Sequence, residues 1–201
     1  MKKRWILVCL VFLVGLILIL IPVVSNIKAR KVEGKLISDF NKSKSEAQVN
    51  NNSSISSNNS TKDNNEDGVK PRHNENAIAL IKINAIGLEA PIVEGENNLN
   101  YTVGKYTNSA DFGAYGNTIL AAHNNMAGSI FRDLKDVNVG EIITIETKRN
   151  IFNYKVTDKV IVEPNDSSVL KEDMREKEIT LITCTNHAKK RLIVKGSLVN
   201  R

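Results

Sequence analysis

Cys184, His123 and Arg191 are the side chains in this sequence whose types and settings suit covalent chemistry. Cys184 closes the apolar run Ile179-Thr180-Leu181-Ile182-Thr183, and Arg191 opens a second run, Leu192-Ile193-Val194. Both runs are short, rich in β-branched residues and bounded by polar ones, so the pattern predicts two strands joined by the polar link Thr185 to Lys190. A thiol at the end of one strand then lies near a guanidinium at the start of the next. His123 ends a further run, Ile119-Leu120-Ala121-Ala122. A thiol with its ordinary pKa of about 8.5 is only a few per cent thiolate at neutral pH. A neighbouring imidazolium and guanidinium both favour the thiolate, which suits attack on a carbonyl carbon. The guanidinium, a permanent cation with forked donors, can also stabilise an oxyanion or hold a substrate backbone.

Taken singly, each residue has a plainer reading. A cysteine in a strand is commonly a small buried hydrophobe, a histidine at a strand end is as often surface or satisfied core, and an arginine alone says almost nothing. His187, three residues after Cys184, is a rival base. It ranks below His123 because a short Lys-rich turn leaves a side chain solvated and poorly fixed. His73 lies in a polar tract and reads as solvated. Only a fold that brings Cys184, His123 and Arg191 together makes them a site.

The elements available for that task begin at Ala77. Ile78–Ile83, Gly87–Val93 and Gly116–His123 read as strands, with Pro91 marking an edge or a strand boundary. Glu141–Thr147 and Ile151–Val162 form a further pair across Lys148-Arg149-Asn150, and Phe152, Tyr154 and Val156 alternate visibly. Asn97–Asp111 reads as a loop, Ser129–Leu134 as a short helix, and Pro164–Glu178 as a polar loop with a helical turn at Ser168–Lys171. Strands recurring at this spacing, without a long helix, predict an all-β domain, a closed or nearly closed antiparallel barrel.

The rest of the chain is of a different kind. Trp5 to Val24 is twenty positions without a charge, dominated by Leu, Ile and Val. As a helix it spans roughly 30 Å, the thickness of a bilayer core. The run is longer than a signal peptide's apolar region and lacks a clean cleavage site, so residues 1–27 read as a cytoplasmic tip and an uncleaved single-pass transmembrane anchor. Basic residues flank it on both sides and do not fix its orientation. The short N-terminal tail, with nothing to fold, and the large C-terminal domain place the N-terminus inside and the domain on the extracellular face of the cell membrane. Residues 28–76, rich in Asn and Ser, read as a disordered stalk, with a short helix around Val32–Phe40. Residues 77–201 are the domain. Residues 1–76 carry 12 Lys+Arg against 7 Asp+Glu, and residues 77–201 carry 16 against 15, so the excess of +5 lies in anchor and stalk. A nucleic-acid-binding domain concentrates its basic residues in the folded part, and that class is set aside. With Cys9 inside the span, Cys184 is the domain's single thiol, unable to form an internal disulfide.

Thr180-Leu181-Ile182-Thr183-Cys184 resembles the TLxTC signature of sortases, membrane-anchored cysteine transpeptidases of Gram-positive bacteria. Arg191-Leu192-Ile193-Val194-Lys195-Gly196 is similar to the strand carrying their arginine, and Ile119–His123 to the strand ending on their histidine. The resemblance implies a sortase-like β-barrel of about eight strands with one or two short helices. It also implies cleavage of an LPxTG-like sorting signal after Thr, with Cys184 as nucleophile, His123 as acid/base and Arg191 holding substrate or oxyanion. Ala122, Thr183 and Thr185 are then candidate substrate contacts. The implied partners are secreted proteins with C-terminal LPxTG-like signals and a peptidoglycan precursor amine. Ala122 stands where family members often carry Gly, the Cys184–Arg191 link is short, and no Asp-Pro-aromatic lid motif of the pilin-assembling members is found. The fit is best to a class D-like or general protein-anchoring member. No cofactor is required. A calcium site like that of some class A members would draw on Glu172, Asp173 and Glu176, but no matching acidic cluster occurs in Asn97–Asp111, and solvated loop charges account for the group. The rival functions are a hydrolytic cysteine peptidase and a non-catalytic, tethered β-domain that binds wall or protein partners.

Overall fold

The computed structural model describes residues 13, 30–46, 76–95, 99, 101–124, 128–171 and 173–200. Apart from Leu13, the expected anchor lies outside the described residues, as does the stalk over 47–75. Among the described residues no helix is long and apolar enough to cross a membrane.

Eight strands are described: β1 (Ala79–Ile83), β2 (Leu88–Glu94), β3 (Val103–Lys105), β4 (Gly116–Ala121), β5 (Ile142–Thr147), β6 (Ile151–Val162), β7 (Lys177–Thr185) and β8 (Lys190–Asn200). They close into a barrel in the order β1-β2-β3-β4-β7-β8-β6-β5, and β5 returns to pair with β1. Side chains alternate between the two faces of a strand. One set therefore fills the barrel: Ile81, Ile83, Ile92, Leu120, Ile145, Tyr154, Leu181 and Val194 are all buried in a single core. Full burial of each large aliphatic side chain is worth about 1.5–3 kcal/mol, which is why the β-branched runs are held in register.

The expected antiparallel barrel is corrected in two places, since β2–β3 and β4–β7 pair in parallel. The β4–β7 pairing is available because β5 and β6 intervene in the chain and supply the long crossover that parallel neighbours need. β3 was expected as loop. Its three residues, Val103-Gly104-Lys105, are too few to show a period, and the partners β2 and β4 determine their state. The short helix expected at Ser129–Leu134 is instead a set of turns leading into a 3-10 turn at Leu134–Asp136. The turn expected near Ser168 is present as a 3-10 helix, Ser167–Leu170.

Residues 30–46 form a helix, α1, longer than the one the sequence suggests and folded onto the barrel rather than disordered. Phe40 is buried against Ala77 and Leu80, with Ile37 beside it. At its far end Lys44 pairs with Glu146 on β5, which also holds Lys82 of β1 at 3.0 Å.

The segment entering β4 is fixed by the core. The Gly113 N–H donates to the buried Tyr154 hydroxyl at 2.8 Å, and the Thr118 hydroxyl donates to the carbonyls of Ala110 and Asp111. Gly113 has a φ of +74°, and a Cβ there would meet the Phe152 ring at 2.3 Å, so both backbone and space call for glycine.

Candidate active site

The site is built from the rungs of three adjacent strands. In the β7–β8 ladder Cys184 stands directly opposite Arg191, and Ile182 opposite Ile193. In the parallel β4–β7 ladder Ala121 stands opposite Ile182. The Ala122 N–H continues that ladder, donating to the Ile182 carbonyl at 3.3 Å. Carried forward at the same register, His123 falls opposite Cys184. Cys184 and Arg191 thus form one rung across β7 and β8, and His123, two residues past the last paired residue of β4, extends that row on the β4 side.

Alternation decides which way this row faces. Leu120, Leu181 and Val194 point into the core, so the residues one step along, Ala121, Ile182 and Ile193, belong to the outer face. His123, Cys184 and Arg191 lie one further rung along that outer face, and all three are partly exposed. An inward thiol would be an inert core residue, whereas this one is free and partly accessible.

The other expected contacts divide. Ala122 and Thr183 fall on the inward rungs and are buried, so any contact they make with substrate runs through their backbone. The Thr183 hydroxyl donates to the Ala122 carbonyl at 2.7 Å, which ties the cysteine strand to the histidine segment. Thr185 is partly exposed at the mouth of the β7–β8 turn. His187 is exposed within that turn. His73 and Glu172 lie outside the described residues.

Arg191 is held from the turn side. Its Nη1 donates to the carbonyls of Ala188 at 3.0 Å and Lys190 at 3.2 Å. Asn186, His187 and Ala188 all have positive φ, 49°, 54° and 66°, a left-handed run that non-glycine residues rarely adopt. Among the described residues Arg191 forms no ion pair, so its positive charge is not neutralised by a carboxylate.

Beside Arg191 lies a pocket of about 220 Å³. Its floor is the outer face of Ile182 and Ile193, and its wall is Val162 at the end of β6 with Pro164, Asp166, Val169 and Leu170 from the segment between β6 and β7. That wall is latched to the barrel by Asn117, which the sequence reading missed. Buried on β4, Asn117 donates from Nδ2 to the carbonyls of Val169 and Lys171 and accepts from the Thr180 hydroxyl at 2.8 Å. A second, more polar pocket of about 350 Å³ lies between Arg30 and Glu33 of α1, the start of β2 and residues 128–133, and none of His123, Cys184 and Arg191 lines it.

No group of three or more potential metal ligands occurs among the described residues. Asp173, from the acidic loop, is paired with the Arg175 guanidinium at 2.9 Å, which lowers its pKa to about 2.

A closed eight-stranded barrel with a thiol and a guanidinium opposed on adjacent strands, and an imidazole just past the end of the neighbouring strand, has the makings of a cysteine acyltransferase. The Sortase domain family matches residues 81–199 of the chain. Sortase A of Streptococcus agalactiae is 27% identical over 97% of this chain and 84% of its own length. A Clostridium perfringens sortase D5 transpeptidase superposes with a TM-score of 0.66 at 30% identity, over 85% of this chain and 99% of that one. A lid mutant of sortase A from Corynebacterium diphtheriae gives a TM-score of 0.61 at 29% identity, over 65% and 74%. The chain belongs to the sortase family. It is a cysteine transpeptidase of that type, acting on proteins that become anchored to the cell wall.

Proposed function

We propose that Cys184 is the nucleophile of this transpeptidase, His123 its general acid and base, and Arg191 the cation that holds the substrate carbonyl or the oxyanion formed from it. What supports this reading is that Cys184 and Arg191 stand opposite each other on β7 and β8, while β4, paired with β7 as far as Ala121 and Ile182, leads directly into His123. The Cys184 sulfur attacks the carbonyl carbon of Thr in an LPxTG-like signal, and a C–S bond forms as the Thr–Gly amide breaks. His123 gives its proton to the departing Gly amine. An incoming amine, carried by a peptidoglycan precursor, then attacks the thioester, His123 takes its proton, and the thiolate leaves. Arg191 meets the negative charge that develops on the carbonyl oxygen in both steps. The pocket beside Arg191 suits an aliphatic side chain of the signal, because Ile182, Ile193, Val169 and Leu170 offer apolar area to bury, although Asp166 and Arg191 also line it.

The location proposed for this chemistry is the outer face of the cell membrane, with residues 5–24 as anchor and the N-terminus inside. What supports it is the twenty-residue uncharged run in the sequence. Class D-like membership is likewise proposed, on the short Cys184–Arg191 link.

Product analysis of an LPxTG-type peptide, with and without an added amine, tests the reaction. Amide product that grows with amine concentration and vanishes in Cys184→Ala is expected. Free acid as the sole product at every amine concentration would make the protein a peptidase, and undiminished turnover in Cys184→Ala would remove Cys184 from the chemistry.

A further inference from the structure

The row of His123, Cys184 and Arg191 poses a structural problem that ordinary sheet pairing does not solve. In the parallel β4–β7 ladder the Ala122 N–H bonds the Ile182 carbonyl, so the next rung would carry the N–H of residue 124 to the Cys184 carbonyl. The regular pairing stops at Ala121, before that rung is reached. The chain then turns, and the His123 carbonyl accepts instead from the Phe131 N–H at 2.9 Å. Among the described residues the Cys184 carbonyl, on the residue whose sulfur must be held in place, has no backbone donor on this side.

Asn124 supplies the missing donor from its side chain. Its Nδ2 donates to the Cys184 carbonyl. This contact also fixes which way the carboxamide faces, since the reversed amide would set oxygen against oxygen. The other end of the group is left in an unfavourable state. Asn124 Oδ1 is enclosed and accepts no hydrogen bond among the described residues. An enclosed acceptor without a partner is costly, and such groups are rare unless they serve another purpose. Asparagine at this position is therefore poorly explained by fold stability alone. It is explained by the need for a donor at the Cys184 carbonyl.

We propose that Asn124 is a positioning residue for the reaction: its carboxamide replaces the absent ladder rung and holds the Cys184 main chain against the segment that carries His123. The inference rests on the proposed roles of Cys184 and His123. Two ties then fix the relative position of thiol and imidazole. The Thr183 hydroxyl bonds the Ala122 carbonyl on the inner side, and Asn124 bonds the Cys184 carbonyl on the outer side. Without the second tie, the strand end and the histidine segment separate, and a misplacement of about 1 Å between reacting groups costs on the order of 100-fold in rate.

Asn124→Ala and Asn124→Asp in the full chain test the proposal, with steady-state kinetics on an LPxTG-type peptide and thermal unfolding measured on the same preparations. Asn124→Ala removes the donor and the enclosed acceptor together. It is expected to lower kcat by about 10- to 100-fold, leave KM within about twofold, and leave Tm unchanged or raised. Asn124→Asp keeps the shape but loses the donor, and kcat is expected to fall at least as far. Wild-type kcat in either variant overturns the proposal, and so does a loss of activity that comes with a fall in Tm, which would mark a merely structural residue. Acyl-enzyme on Cys184 in the unsubstituted chain separates this failure from failure of the underlying roles. If that species forms while the variants turn over normally, only the role of Asn124 is lost. If it never forms, both readings fall.

Discussion

Replacing Asn117 by Ala should loosen the wall of the apolar pocket without touching a residue of the reactive row. The side chain makes three hydrogen bonds, a 2.8 Å bond from the Thr180 hydroxyl and two longer ones, 3.4 Å each, to the Val169 and Lys171 carbonyls. The Thr180 bond stays within the sheet, so the two long bonds, at about 0.5 kcal/mol each, give about 1 kcal/mol holding the 3-10 turn, Ser167–Leu170, against the barrel. At about 1.4 kcal/mol per decade, the closed-to-open ratio of that segment should fall about fivefold. Hydrogen exchange reads this change directly. The Lys171 amide donates to the Ser168 carbonyl within the turn and is protected only while the turn is formed. Its exchange should accelerate about fivefold in Asn117→Ala, and by less in Thr180→Val, which keeps both Nδ2 bonds. The Michaelis constant should rise only to the extent that the open form becomes populated, since apparent affinity scales with the competent fraction. Unchanged protection at Lys171 in Asn117→Ala would refute the latch.

Two further outcomes follow from the same geometry. Arg191→Lys keeps the charge but loses the planar fork, including the Nη1 that donates to the Ala188 and Lys190 carbonyls. A loss in kcat/KM of about 100-fold is expected, and a near-wild-type value would remove Arg191 from the site. Glu146 ties α1 to the barrel. The hydrogen bond from Lys44, followed by that from Lys82, holds its carboxyl below the ordinary glutamate range. A carboxylate whose pKa is depressed by folding contributes stability above its unfolded pKa of about 4.3, and that contribution is lost as pH falls through the folded value. The gap in Tm between the wild-type chain and Glu146→Gln should therefore be present at pH 7 and close in acid. At neutral pH it should correspond to no more than about 1 kcal/mol, as expected for a partly exposed pair. Curves that stay parallel down to pH 3 would show that the pair does not hold the helix.

The parts of the fold that were readable in the sequence are those where one strand carries its own pattern. β6 is an example: Phe152, Tyr154 and Val156 alternate, and the strand runs over Ile151–Val162 as the pattern predicts. Cys184 and Arg191 were readable as neighbours because a short turn joins their strands and hairpin pairing follows from the link. The approach of His123 was not readable in the same way, because it depends on β4 and β7 pairing in parallel across a separation of 61 positions. Only the family resemblance connected those residues. β3 was hidden because Val103-Gly104-Lys105 has no periodicity of its own.

Asn117 and Asn124 were missed for another reason. Asparagine is a common turn and loop residue, and nothing in a neighbouring sequence distinguishes a carboxamide that bonds solvent from one that bonds a carbonyl some 60 positions away. The helical signal in α1, Ile37 and Phe40 on one side, was weak because that side is narrow and the rest of the helix is polar. Its docking depends on Leu80, whose own strand reads as a plain apolar run.

The most direct test of the account is mass spectrometry of the intact protein after incubation with LPxTG-type peptides in the absence of an amine. The account requires a mass increase equal to the peptide's acyl part, located on the Cys184 peptide, sensitive to hydroxylamine as a thioester is, and missing from Cys184→Ala. Turnover of the peptide with no acyl group on Cys184, or with an equal adduct in Cys184→Ala, would contradict it.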